Sequence, residues 1–297
     1  MRIVLLSLAT LVLAACGGLL SEDEKTTTTN DPRDGGPVSV EPTGPADGAT
    51  PPNPGVDVAS LRGLALWLDA TKGITLDASG AGIATWADQS PEHNDLKFHE
   101  GSGARANGTL GAGGVGATAI QFDGTTSYVI SPSAKLASWS GDFYLAAVIH
   151  PNATSGFHNG IFSCYGPQPD VPGFTMTQFY VSDDHHACAD VESDGYTDNV
   201  KSSALGDSAV VVAFRRTGTK LEARRNGFVD KTETTVYTTT PKCTQAFVGA
   251  LPSDGTSATD AFFTGSIAEL LVVQGSVSDT VAAGIEAELM SKYLLSH

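Results

Sequence analysis

Short apolar runs separated by Gly, Asn, Asp and Pro follow one another along the chain from residue 64 onward. Runs of this length and spacing are typical of the strands of an antiparallel sandwich. Asn226-Gly227 between two of them predicts a two-residue hairpin turn. The predicted strands are 64–68, 119–122, 143–150, 160–164, 174–181, 187–191, 209–216, 220–225, 246–250 and 267–273.

The period changes to that of a helix only near the end of the chain. Ser278 can cap a helix there, and Asp279 lies favourably in its first turn. Apolar residues then recur at four-residue intervals on one face, at Val281, Ile285, Leu289 and Tyr293. We expect this helix to pack against one edge of the sandwich.

The N-terminal residues have the pattern of a secretory signal. Arg2 precedes an apolar run over 3–13, and the small residues Ala14 and Ala15 follow. The run is well short of the roughly 20 residues that cross a bilayer. Leu13 to Cys16 reads Leu-Ala-Ala-Cys and resembles the lipobox of bacterial lipoproteins, which implies cleavage after 1–15 and acylation of Cys16. Several acyl chains give stable membrane attachment.

The resemblance also implies a location. Gly17 follows the cysteine where an aspartate would be the inner-membrane retention signal, so the cell envelope is expected, and the outer membrane if the host is Gram-negative.

Composition divides the remaining chain at about residue 57. Residues 16–57 are rich in Thr, Pro, Gly and acidic residues, and they lack the apolar side chains that form a core. We expect a disordered tether over 16–57 and one sandwich domain over 58–297.

Charge restricts the partners. With 17 basic and 33 acidic residues, the formal net charge is −16, and no Lys/Arg cluster interrupts the acidic surface. Nucleic acid is excluded as a partner on this ground, whereas neutral polymers and cations suit the surface.

Cys164, Cys188 and Cys243 follow the lipobox cysteine. In an exported protein, three such cysteines predict one disulfide and one remaining thiol, with all three pairings open. No Cys-x-x-Cys pair is present, which argues against a zinc site.

Several spaced strings together resemble the concanavalin A-like lectin/glucanase superfamily in its bacterial, laminin G-like form. They are 66–70 (LWLDA) with 86–90 (WADQS), 120–124 (IQFDG) with Tyr128-Val129, the strand 143–151, the Asn226-Gly227 turn, 263–270 (FTGSIAEL) and the terminal helix reaching Lys292-Tyr293. The resemblance implies an all-β, two-sheet antiparallel jelly-roll sandwich with a C-terminal helix. These strings consist mostly of packing and turn residues, so they indicate architecture more than activity.

Glycosidases of this superfamily carry Glu-x-Asp-x-x-Glu on one strand, and this chain lacks that string. Asp190, Glu192 and Asp194 alternate on one face but do not match its order. We therefore expect no catalytic residues, although a glycosidase or lyase with acids from different strands remains an alternative.

The same acidic segment gives weak calcium candidates. Laminin G and pentraxin relatives bind calcium through loop carboxylates, which implies Asp183, Asp184, Asp190 or Asp194 as ligands. No metal site or cofactor is assigned on this basis.

Aromatic residues supply the candidate for ligand contact. Trp67 and Trp86 lie in packing strings and are expected in the core, while Trp139 in a loop is the candidate platform for a sugar ring. Together these features predict a lipid-anchored, non-catalytic, lectin-like module that binds an extracellular glycan or protein. A structural envelope or adhesion protein is the other alternative.

Overall fold

A computed structural model describes most of the region beyond residue 54. The described residues are 55–80, 82–98, 105–109, 117–125, 128–130, 132–137, 141–152, 158–167, 174–193, 196–235, 243–251 and 261–296. They belong to one compact unit, Pro54–His297.

The described secondary structure is mostly strand. In chain order the strands are β1 (Leu64–Asp69), β2 (Ile74–Leu76), β3 (Ile83–Trp86), β4 (Leu96–Phe98), β5 (Arg105–Thr109), β6 (Thr118–Asp123), β7 (Tyr128–Ile130), β8 (Phe143–Pro151), β9 (His158–Pro167), β10 (Phe174–Ser182), β11 (His186–Ser193), β12 (Tyr196–Ala204), β13 (Val210–Thr217), β14 (Lys220–Arg225), β15 (Phe228–Thr234), β16 (Gln245–Val248) and β17 (Thr264–Gln274). The helices are a short 3-10 turn (Val58–Ser60), α1 (Ala134–Ala137) and α2 (Asp279–Lys292). No helix in this described part of the chain is both long and apolar enough to span a bilayer.

The strands form two antiparallel sheets. The first has the order β15-β14-β13-β8-β17-β6-β5, and the second β12-β11-β10-β9-β16-β7-β4-β3-β2. Strand β17 organises the first sheet, because β8 pairs along one side of it while β6 and then β1 share the other. This is the two-sheet, jelly-roll-like architecture that the sequence predicts.

Strand β8 shows why part of the first sheet is apolar on both faces. Phe143, Leu145, Ala147 and Ile149 belong to the core between the sheets. The alternate residues Tyr144, Ala146 and Val148 belong to a second apolar cluster on the opposite face. Because both faces are covered, the strand reads as a continuous apolar run.

Helix α2 covers that opposite face. Ser278 caps it by accepting a hydrogen bond from the Val281 N–H, as predicted. Ile285, Leu289 and Tyr293 are buried in the second cluster together with residues of β8, β13 and β17. The expectation that the helix packs on an edge is wrong, since it lies across the middle strands of the first sheet.

Every predicted strand is present, with ends that shift by a few residues. The Asn226-Gly227 turn is also confirmed, because both residues have positive φ, 47° and 89°, and Arg225 pairs with Phe228 across it. The predicted ranges do not include strands β2, β3, β4, β5, β7, β12 and β15.

One disulfide joins Cys164 on β9 to Cys243, which lies just before β16. It confirms the predicted single bridge and selects one of the three open pairings. Cys188 is buried on β11 and is not part of the bridge.

Candidate binding cleft

An open cleft of about 460 Å³ lies beside the β14–β15 hairpin of the first sheet. The segment that joins β12 to β13 forms one wall, and the hairpin forms the other. Leu205, Ala209 and Val210 are largely buried and give the cleft an apolar base. Its volume is in the range of small-ligand sites.

The hairpin turn at the cleft is held in place by Asn226. Its side-chain Oδ1 accepts a hydrogen bond from the Val211 N–H at 3.0 Å, and its own N–H donates to the Val211 carbonyl at the same distance. Its Nδ2 donates to the Ser296 carbonyl at 3.2 Å. The turn is therefore fastened both to β13 and to the residues that follow α2.

A buried carboxylate on α2 fastens the same turn from below. Glu286 accepts hydrogen bonds from the Gly227 N–H at 2.9 Å, from Arg224 Nε at 2.5 Å and from the Tyr144 hydroxyl at 3.2 Å. The residue is completely buried. A carboxylate at this position accepts from three donors at once, two of which are buried.

Burial and the ion pair act against each other on the pKa values of Glu286 and Arg224. Burial raises the pKa of Glu286, against the effect of Arg224. Burial also disfavours the charge of Arg224, but Glu286 raises the Arg224 pKa overall. We take both groups as ionised, because a guanidinium does not lose its proton in proteins and its charge would otherwise be buried unbalanced.

The hairpin presents an aromatic ring to the cleft. Phe228 is 63% exposed and the neighbouring Val229 is 47% exposed, and both line the cleft. Large exposed apolar side chains at a concave site are more informative than isolated ones elsewhere on a surface. An exposed ring on a fixed turn can support a flat apolar surface of a ligand.

Two charged side chains complete the cleft. Arg225 Nη1 donates to the Ala204 carbonyl at 3.0 Å, and among the described residues Arg225 makes no ion pair. Asp230 accepts from the Ser203 N–H at 2.6 Å and from the Ser203 hydroxyl at 2.7 Å. The cleft thus combines a ring, a fixed donor and a fixed acceptor, which suits a ligand with both an apolar face and hydroxyl groups.

The three tryptophans have different surroundings. Trp86 is fully buried in the core, as expected. Trp67 is only partly buried on the face that α2 covers, and its indole N–H donates to Glu269. The predicted platform, Trp139, lies outside the described residues.

The described calcium candidates lie in two places on the second sheet. Asp183 and Asp184 are exposed in the β10–β11 turn, where Asp184 pairs with Lys201 and accepts from Ser182. Asp190 is buried on β11 and accepts from the Tyr180 hydroxyl at 3.0 Å.

In the described part of the chain, no three His, Cys, Asp or Glu side chains come together as a metal-binding group. Asp194 lies outside that part. Calcium binding therefore stays a prediction.

The structure also brings two buried carboxylates together, at the register pair Asp69 and Glu269 of β1 and β17. Lys292 of α2 bridges them, with Nζ 2.9 Å from Asp69 Oδ2 and 2.6 Å from Glu269 Oε2. Glu269 accepts further from Trp67 Nε1 and from the Tyr293 hydroxyl. Because internal donors engage both carboxylates, we interpret this cluster as a structural clamp between α2 and the sheet.

Comparison with known proteins places the fold. No family model matches the chain, and no curated protein matches it. The chain is similar to domain 4 of AbnA, a GH43 extracellular arabinanase from Geobacillus stearothermophilus, which was solved in complex with arabinotriose. The TM-score is 0.50 and the sequence identity is 12%, and the match covers 75% of this chain and 98% of that domain.

Two neurotoxin domains are similar as well. The botulinum neurotoxin serotype G binding domain has a TM-score of 0.53 and 11% identity, over 76% of this chain and 51% of that one. The serotype D binding domain has a TM-score of 0.53 and 7% identity, over 77% and 51%. The chain thus spans about half the length of these neurotoxin domains. At such identities the likeness establishes an all-β, jelly-roll-like fold.

Phe228 is the functional candidate that the sequence did not reveal. The available signal was an aromatic residue directly after the Asn226-Gly227 turn, followed by a strand with charged residues. An aromatic side chain at the start of such a polar strand has few apolar neighbours that could cover its ring.

Proposed function

We propose that the sandwich is a non-catalytic, lectin-like module that binds a glycan in the cleft beside the β14–β15 hairpin. The observation that carries the proposal is the exposed Phe228 ring on a fixed turn, between the donor Arg225 and the acceptor Asp230. Sugars present C–H faces that pack on aromatic rings and hydroxyl groups that need donors and acceptors. The arabinotriose complex of the similar arabinanase domain supports a glycan as the ligand class.

The hydrogen bonds that hold the hairpin turn favour binding of the ligand to a preformed surface. The turn is held by Asn226 and Glu286 before any ligand arrives. A site that is ordered in advance loses less conformational entropy on binding, so modest contacts suffice for measurable affinity.

We further propose that the module is displayed from the cell envelope by an acylated Cys16 and the tether over 16–57, on the outer membrane if the host is Gram-negative. The Leu-Ala-Ala-Cys string supports acylation. Mass spectrometry of the mature N-terminus should show an acylated Cys16. In cell fractionation, a Cys16→Ser variant should no longer be found with the membranes. An unmodified Cys16, or a variant that stays with the membrane, would contradict the anchor.

The test of glycan binding uses the full-length protein on an array of immobilised oligosaccharides, followed by calorimetry with the best one. Phe228→Ala should weaken binding about tenfold, or about 1.4 kcal/mol, because the ring face is removed. Leu76→Ala is the matched control, since Leu76 is also exposed, at 43%, but lies on β2 of the other sheet. Equal effects of the two substitutions, or no binding to any glycan, would contradict the proposal.

A further inference from the structure

The charges within the cleft bear on the class of glycan. Arg225 is its cation and Asp230 its anion, so the two cancel locally. The whole chain has a formal net charge of −16. With no local excess of positive charge, the field of the whole molecule disfavours the approach of an anionic ligand.

Asp230 is prepared to accept hydrogen bonds from a ligand. Its two carboxylate oxygens each receive one hydrogen bond from Ser203, at 2.6 and 2.7 Å. A carboxylate has about four lone-pair sites, so acceptor capacity remains on both oxygens. A ligand hydroxyl can use that capacity, whereas a ligand carboxylate would be repelled by it.

Arg225 supplies the complementary donors. Its Nη1 donates to the Ala204 carbonyl at 3.0 Å, which anchors one nitrogen of the guanidinium at the cleft. A guanidinium has five N–H donors in a rigid fork, so several remain for a ligand. Hydroxyl groups both donate and accept, and two neighbouring hydroxyls can therefore engage both side chains together.

We infer that the cleft takes an uncharged glycan through neighbouring hydroxyl groups, with Arg225 donating, Asp230 accepting and Phe228 beneath the ring. The inference rests on the proposed glycan function. It excludes uronic and sialic acids as preferred ligands, even though an arginine lines the cleft.

The experiment titrates full-length protein with neutral probes, arabinotriose, xylohexaose and laminarihexaose, and with carboxylated probes, oligogalacturonate and sialyllactose. At least one neutral probe should bind, and its affinity should change less than about twofold between about 50 and 500 mM salt. Preferential binding of a carboxylated probe, weakened by salt, would overturn the inference but leave glycan binding intact. Failure of every probe would overturn the proposed function as well.

Substitution of the acceptor provides a second arm. Asp230→Asn should weaken the affinity for the neutral probe about tenfold, because the carboxylate accepts from hydroxyl groups. It should also reduce the ratio of the affinity for the neutral probe to that for the carboxylated probes, because the carboxylate repels anions. Asp207→Asn is the matched control, as Asp207 is exposed in the segment that forms the other wall but does not line the cleft. Unchanged affinity for neutral and carboxylated probes in Asp230→Asn would overturn the inference.

Discussion

Asp88 shows how much local structure a single buried carboxylate can determine. Its oxygens accept hydrogen bonds from the backbone N–H groups of Trp67, Ser90 and Asn94 at 2.7 to 2.8 Å, and from the Ser90 hydroxyl at 2.7 Å. These contacts tie the loop after β3 to β1. Asp88, the aspartate of the WADQS string at 86–90, therefore has a structural role.

Asp88→Ala should destabilise the protein by roughly 3 kcal/mol, because three buried or partly buried N–H groups lose their acceptor. Urea unfolding monitored by tryptophan fluorescence would measure the change as a lower midpoint at constant slope. Asp77→Ala is the control, since Asp77 accepts from Ser79 N–H and hydroxyl groups at the surface, and it should cost about 1 kcal/mol or less. Equal losses in the two variants would contradict the structural role of Asp88.

The clamp between Asp69, Glu269 and Lys292 gives a pH dependence at the residue scale. Burial disfavours the charge of Asp69, but hydrogen bonds from Thr71 and Lys292 hold its pKa below the ordinary value of 3.8. The unfolded chain therefore binds more protons than the folded one as pH falls below about 4. The stability from this carboxylate is present at neutral pH and is lost as pH falls through the folded pKa.

Lys292→Gln should lower the free energy of unfolding by about 2 kcal/mol at pH 7. The loss is this moderate because the lysine side chain is 31% exposed and solvent screens part of the interaction. The difference in unfolding free energy from the unsubstituted protein should shrink as the pH falls through the folded pKa of Asp69, because protonation removes the pair. Unfolding free energies across this range would measure it. Lys72→Gln is the control, because Lys72 also faces Asp69 but is 52% exposed. A gap that does not change with pH, or a Lys72→Gln effect of the same size, would count against the clamp.

At the residue scale the site was only partly predictable. The Asn226-Gly227 turn was recognised from its two residue types, because few other dipeptides accept positive φ at both positions. Phe228 was missed because sequence does not show whether an aromatic side chain at the start of a strand is covered. Exposure depends on neighbours that are distant in sequence, here the segment after β12.

At the scale of elements, apolar content decided which strands could be predicted. Every predicted strand has its place in the sheets, because burial on one or both faces leaves a clear apolar pattern. Strand β15 is exposed or half-buried along its whole length, and β12 is also a polar edge strand. Edge strands of this kind are defined by hydrogen bonds to a neighbour, and their side chains carry little pattern.

The predicted position of α2, at an edge of the sandwich, is wrong for a related reason. Its apolar stripe shows that one face is buried but does not identify the surface that it covers. The alternate apolar residues of β8 and β13 were the available signal, because a strand that is apolar on both faces needs cover on both.

Helix α2 also supports the cleft, and Glu286 is the residue that connects them. Glu286→Gln should destabilise the protein by about 3 kcal/mol, because the Arg224 charge loses its buried partner. It should also weaken glycan binding, because the turn that carries Phe228 loses its strongest acceptor. Thermal unfolding and calorimetry would measure the two effects.

The matched control is Glu288→Gln on the same helix, where the side chain is exposed. This substitution should change stability by less than about 0.5 kcal/mol and leave affinity unchanged. If Glu286→Gln behaves like Glu288→Gln, α2 does not hold the turn.

At the scale of the whole molecule, two sheets form the scaffold, a helix covers the outer face of the first, and the cleft lies at one edge of that sheet. The edge strands β12 and β15 of the two sheets meet there through Ser203 and Asp230. A ligand in the cleft would therefore contact the first sheet and the segment that leads into it from β12 of the second sheet.

The most direct test of the account is hydrogen–deuterium exchange of the full-length protein with and without the best-binding oligosaccharide. We expect protection on binding at residues 204–210 and 224–231, the two walls of the cleft. Protection instead at β10 and β11 on the second sheet, with the cleft unchanged, would contradict the assignment of the binding site.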